Sequence, residues 1–319
     1  MREPRALSRR TFVAAALGAI GCGAAGSRAP GGRASGRTRR AGAPSPIAAG
    51  APGALLAYVG TYTEPGGSRG IYPLHVDPAT GALRVGELAA ACANPSFLAW
   101  GADERVLYAV AELTEWEGAS TGAVGAYARD PATGALTPLG EVASGGGAPC
   151  HVSVDRTGRW LLVANYVGGN VAVLPIAADG RLGRATAVVA HRGRGPHPRQ
   201  DAPHAHCILV DPGGRHVVAA DLGIDRVLVY ALDGERGALV PAPAPEIALA
   251  PGAGPRHLAF HPDGRTLYVI NELDATLTAF PWMPGSVPPV ALQTLPLLAP
   301  AAPPHPPGPA PADSAAPSP

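Results

Sequence analysis

The sequence predicts an all-β fold, a β-propeller of four-stranded blades, because one unit recurs along the chain at regular spacing. Each unit has an apolar strand, a turn that ends in arginine, and a second, more apolar strand. The turn arginines are spaced 54, 56 and 50 residues apart: Arg105, Arg159, Arg215 and Arg265. Four short strands in about 50 residues, with turns at regular intervals, are typical of a propeller blade.

The strands of the unit follow one another in a fixed order. The first strands begin at Pro95, Pro149, His204 and Pro255, and the second strands follow the four arginines directly. Third strands are predicted at Gly122–Tyr127, Asn170–Leu174 and Arg226–Tyr230. Turns such as Asp130–Gly134 then lead to a fourth strand. The propeller is predicted over residues 54–298, where about 240 residues at roughly 53 per blade make four to five blades.

Residues 1–27 have the pattern of a twin-arginine signal peptide. Arg9 and Arg10 precede the apolar run Val13–Ile20, and small residues follow it. This pattern directs a folded protein out of the cytoplasm, so we expect a periplasmic or extracellular location. The sequence at Cys22 loosely resembles a lipobox. Two alternatives therefore stay open, a lipid anchor on Cys22 and ordinary cleavage near Ala24–Ser27.

Two further segments are predicted to be disordered. Residues 28–53 are mostly Gly, Ala, Arg, Pro and Ser, which predicts a flexible linker, and residues 299–319 form a Pro- and Ala-rich tail. The proline-rich stretch already begins at Pro281, and we expect no strand beyond it, because proline has no amide hydrogen to give to a sheet. No apolar stretch reaches the roughly 18 residues of a membrane span, so no transmembrane span is expected.

Charge and composition exclude several classes of function. Residues 1–50 carry nine arginines and one glutamate, whereas the remainder carries sixteen arginines and 23 acidic residues. The propeller is therefore mildly acidic, and we expect no nucleic-acid partner, which would need a basic surface. The chain has no lysine, which excludes a Schiff-base lysine and a phosphate-loop lysine. Beyond the signal peptide, Cys92, Cys150 and Cys207 have no metal-ligand spacing, and we expect buried single cysteines.

Five motifs resemble those of the seven-bladed β-propeller lactonase family. In chain order they are Tyr58-Val-Gly-Thr-Tyr-Thr63, Asn165-Tyr-Val-Gly-Gly-Asn-Val171, Arg199-Gln200 with Pro203-His-Ala-His206, Asp221-Leu-Gly-Ile-Asp-Arg-Val227 and Gly254-Pro-Arg-His-Leu-Ala-Phe-His-Pro262. The family includes the propeller type of 6-phosphogluconolactonase and is similar to carboxymuconate cyclase. The resemblance runs from about Leu55 to Phe280 and implies an enzyme that hydrolyses a sugar lactone, a small-molecule partner. It also implies seven blades, so we expect a C-terminal truncation that leaves open blade edges through which copies can self-associate.

The register of the repeat gathers polar residues at one corner of each blade. The first strand begins, and the second strand ends, at the same face around the central channel. Equivalent first-strand positions hold Ser96, Cys150, His206 and Arg256, and the next positions hold Phe97, His151, Cys207 and His257. The positions that end the second strands hold Ala111, Asn165, Asp221 and Asn271, followed by Glu112, Tyr166, Leu222 and Glu272. Polar groups in an apolar blade need partners, so this channel rim is the predicted site.

Lactone opening needs a cationic clamp for the oxyanion and a base that activates water. Arginine supplies the fixed charge, histidine carries a proton near neutral pH, and a carboxylate orients the imidazole or acts as the base. The predicted catalytic residues are Arg199, His204, His206, Arg256 and Glu272, of which the resemblance favours both arginines and the 203–206 segment. The predicted substrate-binding residues are His151, Asn165, Tyr166, Gln200, Asp221, His257 and Asn271. No metal and no cofactor are predicted, and the absence of a Gly-x-Ser-x-Gly motif argues against a serine hydrolase.

Other interpretations of the same residues stay open. A calcium-dependent, gluconolactonase-like enzyme would use as ligands Asn165, Asn271, Glu112 and Glu272. A non-catalytic surface propeller would instead bind a peptide or a glycan on its face. Structural roles are alternatives for single residues: core packing for His151 and His257, turn capping for Asn165, Asp221 and Asn271. If the chain is exported, an unphosphorylated lactone suits its compartment better than 6-phosphogluconolactone, a cytoplasmic metabolite.

Overall fold

The computed structural model describes residues 55–63, 65–283 and 289–298. The signal peptide predicted at 1–27, the lipobox at Cys22, the linker at 28–53 and the tail at 299–319 lie outside these ranges and stay predictions. Within these ranges, no helix combines the length and the hydropathy that crossing a membrane requires.

Five antiparallel sheets, one per blade, make up the described part of the chain, as predicted. Blade 1 contains β1 (Leu55–Val59), β2 (Gly70–Val76), β3 (Leu83–Val85) and β4 (Ala90–Ala91). Blade 2 contains β5 (Leu98–Trp100), β6 (Val106–Ala111), β7 (Ala123–Arg129) and β8 (Leu136–Ala143). Blade 3 contains β9 (Pro149–Val154), β10 (Trp160–Asn165), β11 (Asn170–Pro175) and β12 (Ala187–Ala190).

The last two described blades repeat this arrangement. Blade 4 contains β13 (Ala205–Val210), β14 (His216–Asp221), β15 (Arg226–Asp233) and β16 (Ala238–Ala248), with a short 3₁₀ turn at Leu222–Ile224. Blade 5 contains β17 (Pro255–Phe260), β18 (Thr266–Asn271), β19 (Thr276–Pro281) and β20 (Gln293–Pro296). In blades 2 to 5 the strands lie side by side in chain order, whereas in blade 1 both β3 and β4 pair with β2. The second strands begin directly after the four turn arginines, which confirms the predicted register.

Strand β20 corrects one expectation. No strand was expected beyond Pro281, yet β20 pairs with β19 through Gln293, Thr294 and Leu295. Proline is compatible with this position because β20 is the edge strand of its sheet, where an amide without a partner strand costs nothing.

Apolar side chains fill the layers between neighbouring blades. Between blades 3 and 4, Leu162, Val173 and Ile208 are fully buried in one cluster. Between blades 2 and 3, Val124 and Leu161 are buried in another. Complete burial of one such side chain contributes about 1.5–3 kcal/mol. Where two blades are neighbours, their facing sheets therefore cover each other, and no helix contributes to these layers in the described part of the chain.

A repeated hydrogen bond joins each early blade to the following one. Tyr58 donates its hydroxyl to the carbonyl of Gly134, and Tyr108 donates to the carbonyl of Gly180 at 3.0 Å. Trp160 donates its indole N–H to the carbonyl of Gly234 at 3.0 Å. We call these three contacts the blade seams. Gly134 and Gly180 adopt φ of +74° and +84°, and a Cβ on either would fall within 2.5 Å of the preceding blade, so only glycine fits there.

The innermost strands lie against one another around the channel, and side chains of β9 bond the open edge of β13. Ser153 donates its hydroxyl to the carbonyl of Ile208 at 2.7 Å. The Cys150 thiol lies 3.5 Å from the carbonyl oxygens of both Ala205 and His206. These contacts fix the distance between the first strands and hence the geometry of the channel rim.

Candidate functional site

Irregular pairing places one residue per blade at the channel rim. Where β9, β13 and β17 begin, the pairing skips one residue of the inner strand: Cys150, His206 and Arg256. A β-bulge of this kind bends the strand and turns the skipped side chain, and such bulges are common beside active sites. The three residues are among the four that the repeat register predicted to be equivalent; the fourth is Ser96.

A single carboxylate joins two arginines at the rim. Glu272, directly after β18, accepts from Arg256 Nε through Oε2 at 2.7 Å and from Arg199 Nη1 through Oε1 at 2.6 Å. Arg256 belongs to the same blade, whereas Arg199 comes from the loop between β12 and β13. Two guanidinium groups against one carboxylate leave a net positive charge at this corner. The side chains of Arg199 and Arg256 are 51% and 32% exposed, so both remain accessible to a ligand.

Tyr166 and His204 extend the rim beyond the arginines. Arg199 Nη2 donates to the Tyr166 hydroxyl at 3.4 Å, and the hydrogen bonds that Arg199 donates to Tyr166 and Glu272 raise its pKa. The imidazole of His204 stacks on the Tyr166 ring with centroids 4.4 Å apart. His204 Nδ1 lies 3.0 Å from the carbonyl oxygen of Tyr166, an acceptor, so Nδ1 carries the proton. In the neutral ring, Nε2 is therefore the nitrogen without a proton, and it lies 3.5 Å from Asp201 Oδ1.

Gln200 holds the loop that carries Arg199. Its side chain is completely buried. Its Nε2 donates to the carbonyl of Leu222 and to Asp225 Oδ1, both at 2.7 Å, and its Oε1 accepts the amide of His197 at 3.0 Å. Gln200 is thus a positioning residue in this structure, and the predicted substrate contact stays a prediction.

Asp221 is also a positioning residue, because it holds the backbone of His204. Its Oδ1 accepts the amides of His204 at 2.7 Å and Gly223 at 2.9 Å, and its Oδ2 lies 2.6 Å from His191 Nδ1. Both side chains of the Asp221–His191 pair are completely buried. Sequence reasoning missed this pair, because no local pattern links residues 191 and 221.

The two predicted asparagines close the ends of their strands. Asn165 Nδ2 donates to Asn170 Oδ1 at 2.7 Å, and Asn271 Nδ2 donates to Thr276 Oγ1 at 2.8 Å. Both asparagines are buried, which agrees with a turn-closing role. The predicted role in ligand binding stays a prediction.

Below the rim, four rings from four blades pack against one another in the channel. Ring centroids are 4.2 Å apart for Phe97 and His151, 5.6 Å for His151 and His257, and 5.2 Å for His206 and His257. Burial lowers the pKa of His151 well below its usual range. Burial and the Arg256 charge lower the pKa of His206 to about 3 and that of His257 to about 4. These three imidazoles are neutral at pH 7, and they are weak bases compared with an ordinary histidine.

A second carboxylate cluster at the rim was not predicted as a catalytic feature. Glu112 Oε2 accepts from the Tyr62 hydroxyl at 2.9 Å and from the Ser96 hydroxyl. Burial and the Glu112 charge raise the pKa of Tyr62 to about 12. Sequence reasoning named Glu112 only as a calcium ligand. Its carboxylate is bonded by two hydroxyls and that of Glu272 by two arginines, so neither presents a free pair of oxygens to Ca²⁺ in this structure.

Comparisons with known proteins agree with this architecture. Residues 56–310 match the family described as Lactonase, 7-bladed beta-propeller. A 6-phosphogluconolactonase of Bacillus subtilis is 41% identical over 229 residues, which cover 72% of this chain and 63% of that protein. The chain thus spans less than two thirds of the length of this relative.

Two solved structures have the same fold over most of the chain. A Pseudomonas aeruginosa protein described as a periplasmic gluconolactonase is 37% identical with a TM-score of 0.71, over 77% of this chain and 68% of that one. A Bacteroides fragilis protein is 35% identical with a TM-score of 0.69, over 76% of this chain and 67% of that one.

Proposed function

Because this chain belongs to the seven-bladed β-propeller lactonase family, we propose that it hydrolyses a sugar lactone at the channel rim. The observation that carries the proposal is the bridge in which Glu272 holds Arg199 and Arg256. The bridge fixes two cations from different segments at one exposed corner. Preorganised positive charge of this kind stabilises an oxyanion that forms during acyl transfer.

The arginines serve as the electrophilic clamp. Attack of water on the lactone carbonyl carbon makes a tetrahedral intermediate with the negative charge on the former carbonyl oxygen. The Nη groups of Arg256 have no hydrogen-bond partner in the described part of the chain. They can therefore donate to the oxyanion while Nε keeps its hydrogen bond to Glu272. The same guanidinium groups then hold the carboxylate of the product.

His204 serves as the proton carrier. Its Nε2 takes a proton from the attacking water, and the carbonyl of Tyr166 stabilises the resulting imidazolium through Nδ1–H. Collapse of the intermediate breaks the ring C–O bond, and Nε2–H returns the proton to the leaving ring oxygen, which becomes a hydroxyl. The carboxylic acid so formed loses its remaining proton to solvent and becomes the carboxylate. His206 and His151 are less suited to this step, since burial makes their imidazoles weak bases.

We favour an unphosphorylated sugar lactone as the substrate. We also propose that the protein is exported. The relatives named above include a 6-phosphogluconolactonase and a periplasmic gluconolactonase, so both substrate types deserve direct comparison. Export rests on the twin-arginine pattern at residues 1–27. Cell fractionation of the Arg9→Lys/Arg10→Lys variant tests it: retention in the cytoplasm supports the proposal, and unchanged export contradicts it.

The activity is tested by hydrolysis of gluconolactone and of 6-phosphogluconolactone with the purified chain. We expect Arg256→Ala to lower kcat/KM by about 10²–10³, the usual effect of removing one oxyanion donor. Arg226→Ala is the matched control, because Arg226 also pairs with a glutamate, Glu246 at 3.5 Å, but on β15 and β16. Equal activity of wild type and Arg256→Ala would contradict the proposed clamp.

A further inference from the structure

Three chemically soft or borderline metal ligands converge in the channel below the rim. His151 on β9, Cys207 on β13 and His257 on β17 come from three successive blades. Their ligand atoms, two ring nitrogens and one sulfur, all lie within 4.8 Å of one another. The spacing of these three residues along the sequence matches no known metal-binding sequence motif, so the cluster forms only in the folded propeller.

The distance between His151 and Cys207 suits two ligands of one tetrahedral ion. His151 Nε2 and Cys207 Sγ are 3.5 Å apart. An ion about 2.3 Å from sulfur and about 2.0–2.1 Å from nitrogen, at a tetrahedral angle, separates the two ligands by about 3.5 Å. His151 and Cys207 are buried and His257 is half-buried, so the cluster is enclosed on one side and open towards the channel.

A further unsatisfied group lies beside the cluster. The Nδ1 of His206 is buried without a hydrogen-bond partner in the part of the chain that the structure describes. The ring of His206 is 5.2 Å from that of His257. A buried polar atom without a partner needs an explanation, and a ligand bound in the channel is one.

We propose that His151, Cys207 and His257 bind one Zn²⁺. Two imidazoles and one thiolate form a common ligand set for this ion, and three protein ligands leave a fourth position open to the channel. The Cys207 thiol releases its proton to solvent as the sulfur–zinc bond forms. When His151 Nε2 binds the ion, its proton moves to Nδ1, so the 3.3 Å hydrogen bond from the Ile208 amide to Nδ1 is lost and the imidazole must shift away from that amide. The proposal stands independently of the proposed lactonase activity.

Cobalt substitution in the full chain provides a direct test. After treatment with a chelator, the protein is titrated with Co²⁺ and the thiolate-to-cobalt charge-transfer absorption is recorded. We expect one Co²⁺ per chain, displacement of the absorption by one equivalent of Zn²⁺, and its loss in Cys207→Ser. His257→Ala is expected to weaken Co²⁺ binding at least tenfold. Circular dichroism checks that each variant is folded.

Cys150→Ser is the matched control. Cys150 is also buried in an inner strand, but its thiol lies against backbone carbonyls, to which a serine hydroxyl can donate equally well. It should retain the full charge-transfer absorption. The proposal is overturned if folded Cys207→Ser gives the wild-type spectrum, or if wild type binds less than one Co²⁺ per chain. Lactone hydrolysis is measured separately, so absent turnover with intact metal binding counts against the proposed function alone.

Discussion

Blade 2 and blade 5 each carry a glutamate at the same position of the repeat, yet neutral hydroxyls hold one and cations hold the other. Glu112 accepts from Ser96 and Tyr62, whereas Glu272 accepts from Arg256 and Arg199. Ser96 and Arg256 are themselves equivalent in the repeat. The blade thus supplies a constant geometry, and the partners of the glutamate decide whether the corner is anionic, as at Glu112, or cationic, as at Glu272.

The two corners also differ in the loop that contributes the second partner of the glutamate. Arg199 reaches the blade 5 corner from the loop between β12 and β13, and Gln200 anchors that loop. Gln200→Ala should therefore destabilise the protein by about 2–4 kcal/mol, because it leaves buried partners without hydrogen bonds. Denaturant unfolding measures this loss.

Gln293→Ala on the exposed edge strand β20 is the control for that loss. Its effect should stay within about 0.5 kcal/mol. If the two glutamine variants were equally stable, Gln200 would not be an anchor, and the dependence of the blade 5 corner on its neighbour would be lost.

Removal of the charge from each glutamate tests the comparison directly. Glu272→Gln leaves two guanidinium groups without their counter-charge, and we expect kcat/KM for the lactone to fall about 10- to 100-fold, or about 1.4–2.7 kcal/mol. Glu112→Gln keeps an acceptor for both hydroxyls, and its effect should be below about threefold. Steady-state kinetics of both variants test this difference. Equal losses of kcat/KM would mean that the two corners contribute equally to catalysis.

Acid should lower the stability of the folded protein through His206, whereas Ser96, at the equivalent position of the repeat, does not titrate. His206 is equivalent to Ser96, and its pKa is lowered from 6.5 to about 3 in the folded chain. Below pH 6.5 the unfolded state binds a proton that the folded state does not, so stability falls as the pH drops towards about 3. In metal-free protein, the lowered pKa of His206 should reduce the free energy of unfolding by about 1 kcal/mol between pH 6.5 and about 5.5. Unfolding of His206→Gln at both pH values should show a loss smaller by that amount, and an identical loss would show that His206 does not cause it.

The sequence was sufficient to predict the blades, because each strand and turn is encoded locally and repeats at about 50 residues. The register also identified Arg256, Glu272 and Tyr166 as neighbours around the channel. It did not reveal the Asp221–His191 pair or the partners of Gln200, since these contacts join a loop to a blade without any repeated spacing. Nor did it reveal the Ser96–Glu112–Tyr62 cluster as one unit, because Tyr62 lies in a loop before the first complete repeat. Strand β20 was missed because proline content was weighed without knowing that the strand is at an edge.

The blade seams have a consequence for how such a chain can change during evolution. In each seam the donor side chain lies in the earlier blade, and the acceptor is a turn carbonyl in the later one. Insertions are usually tolerated best in exposed turns. Here, a residue added to the turn around Gly134, Gly180 or Gly234 would displace the carbonyl on which the preceding blade depends. Variation in loop length should therefore be confined to the opposite ends of the blades, and a whole blade is a more acceptable unit of gain or loss than a few residues.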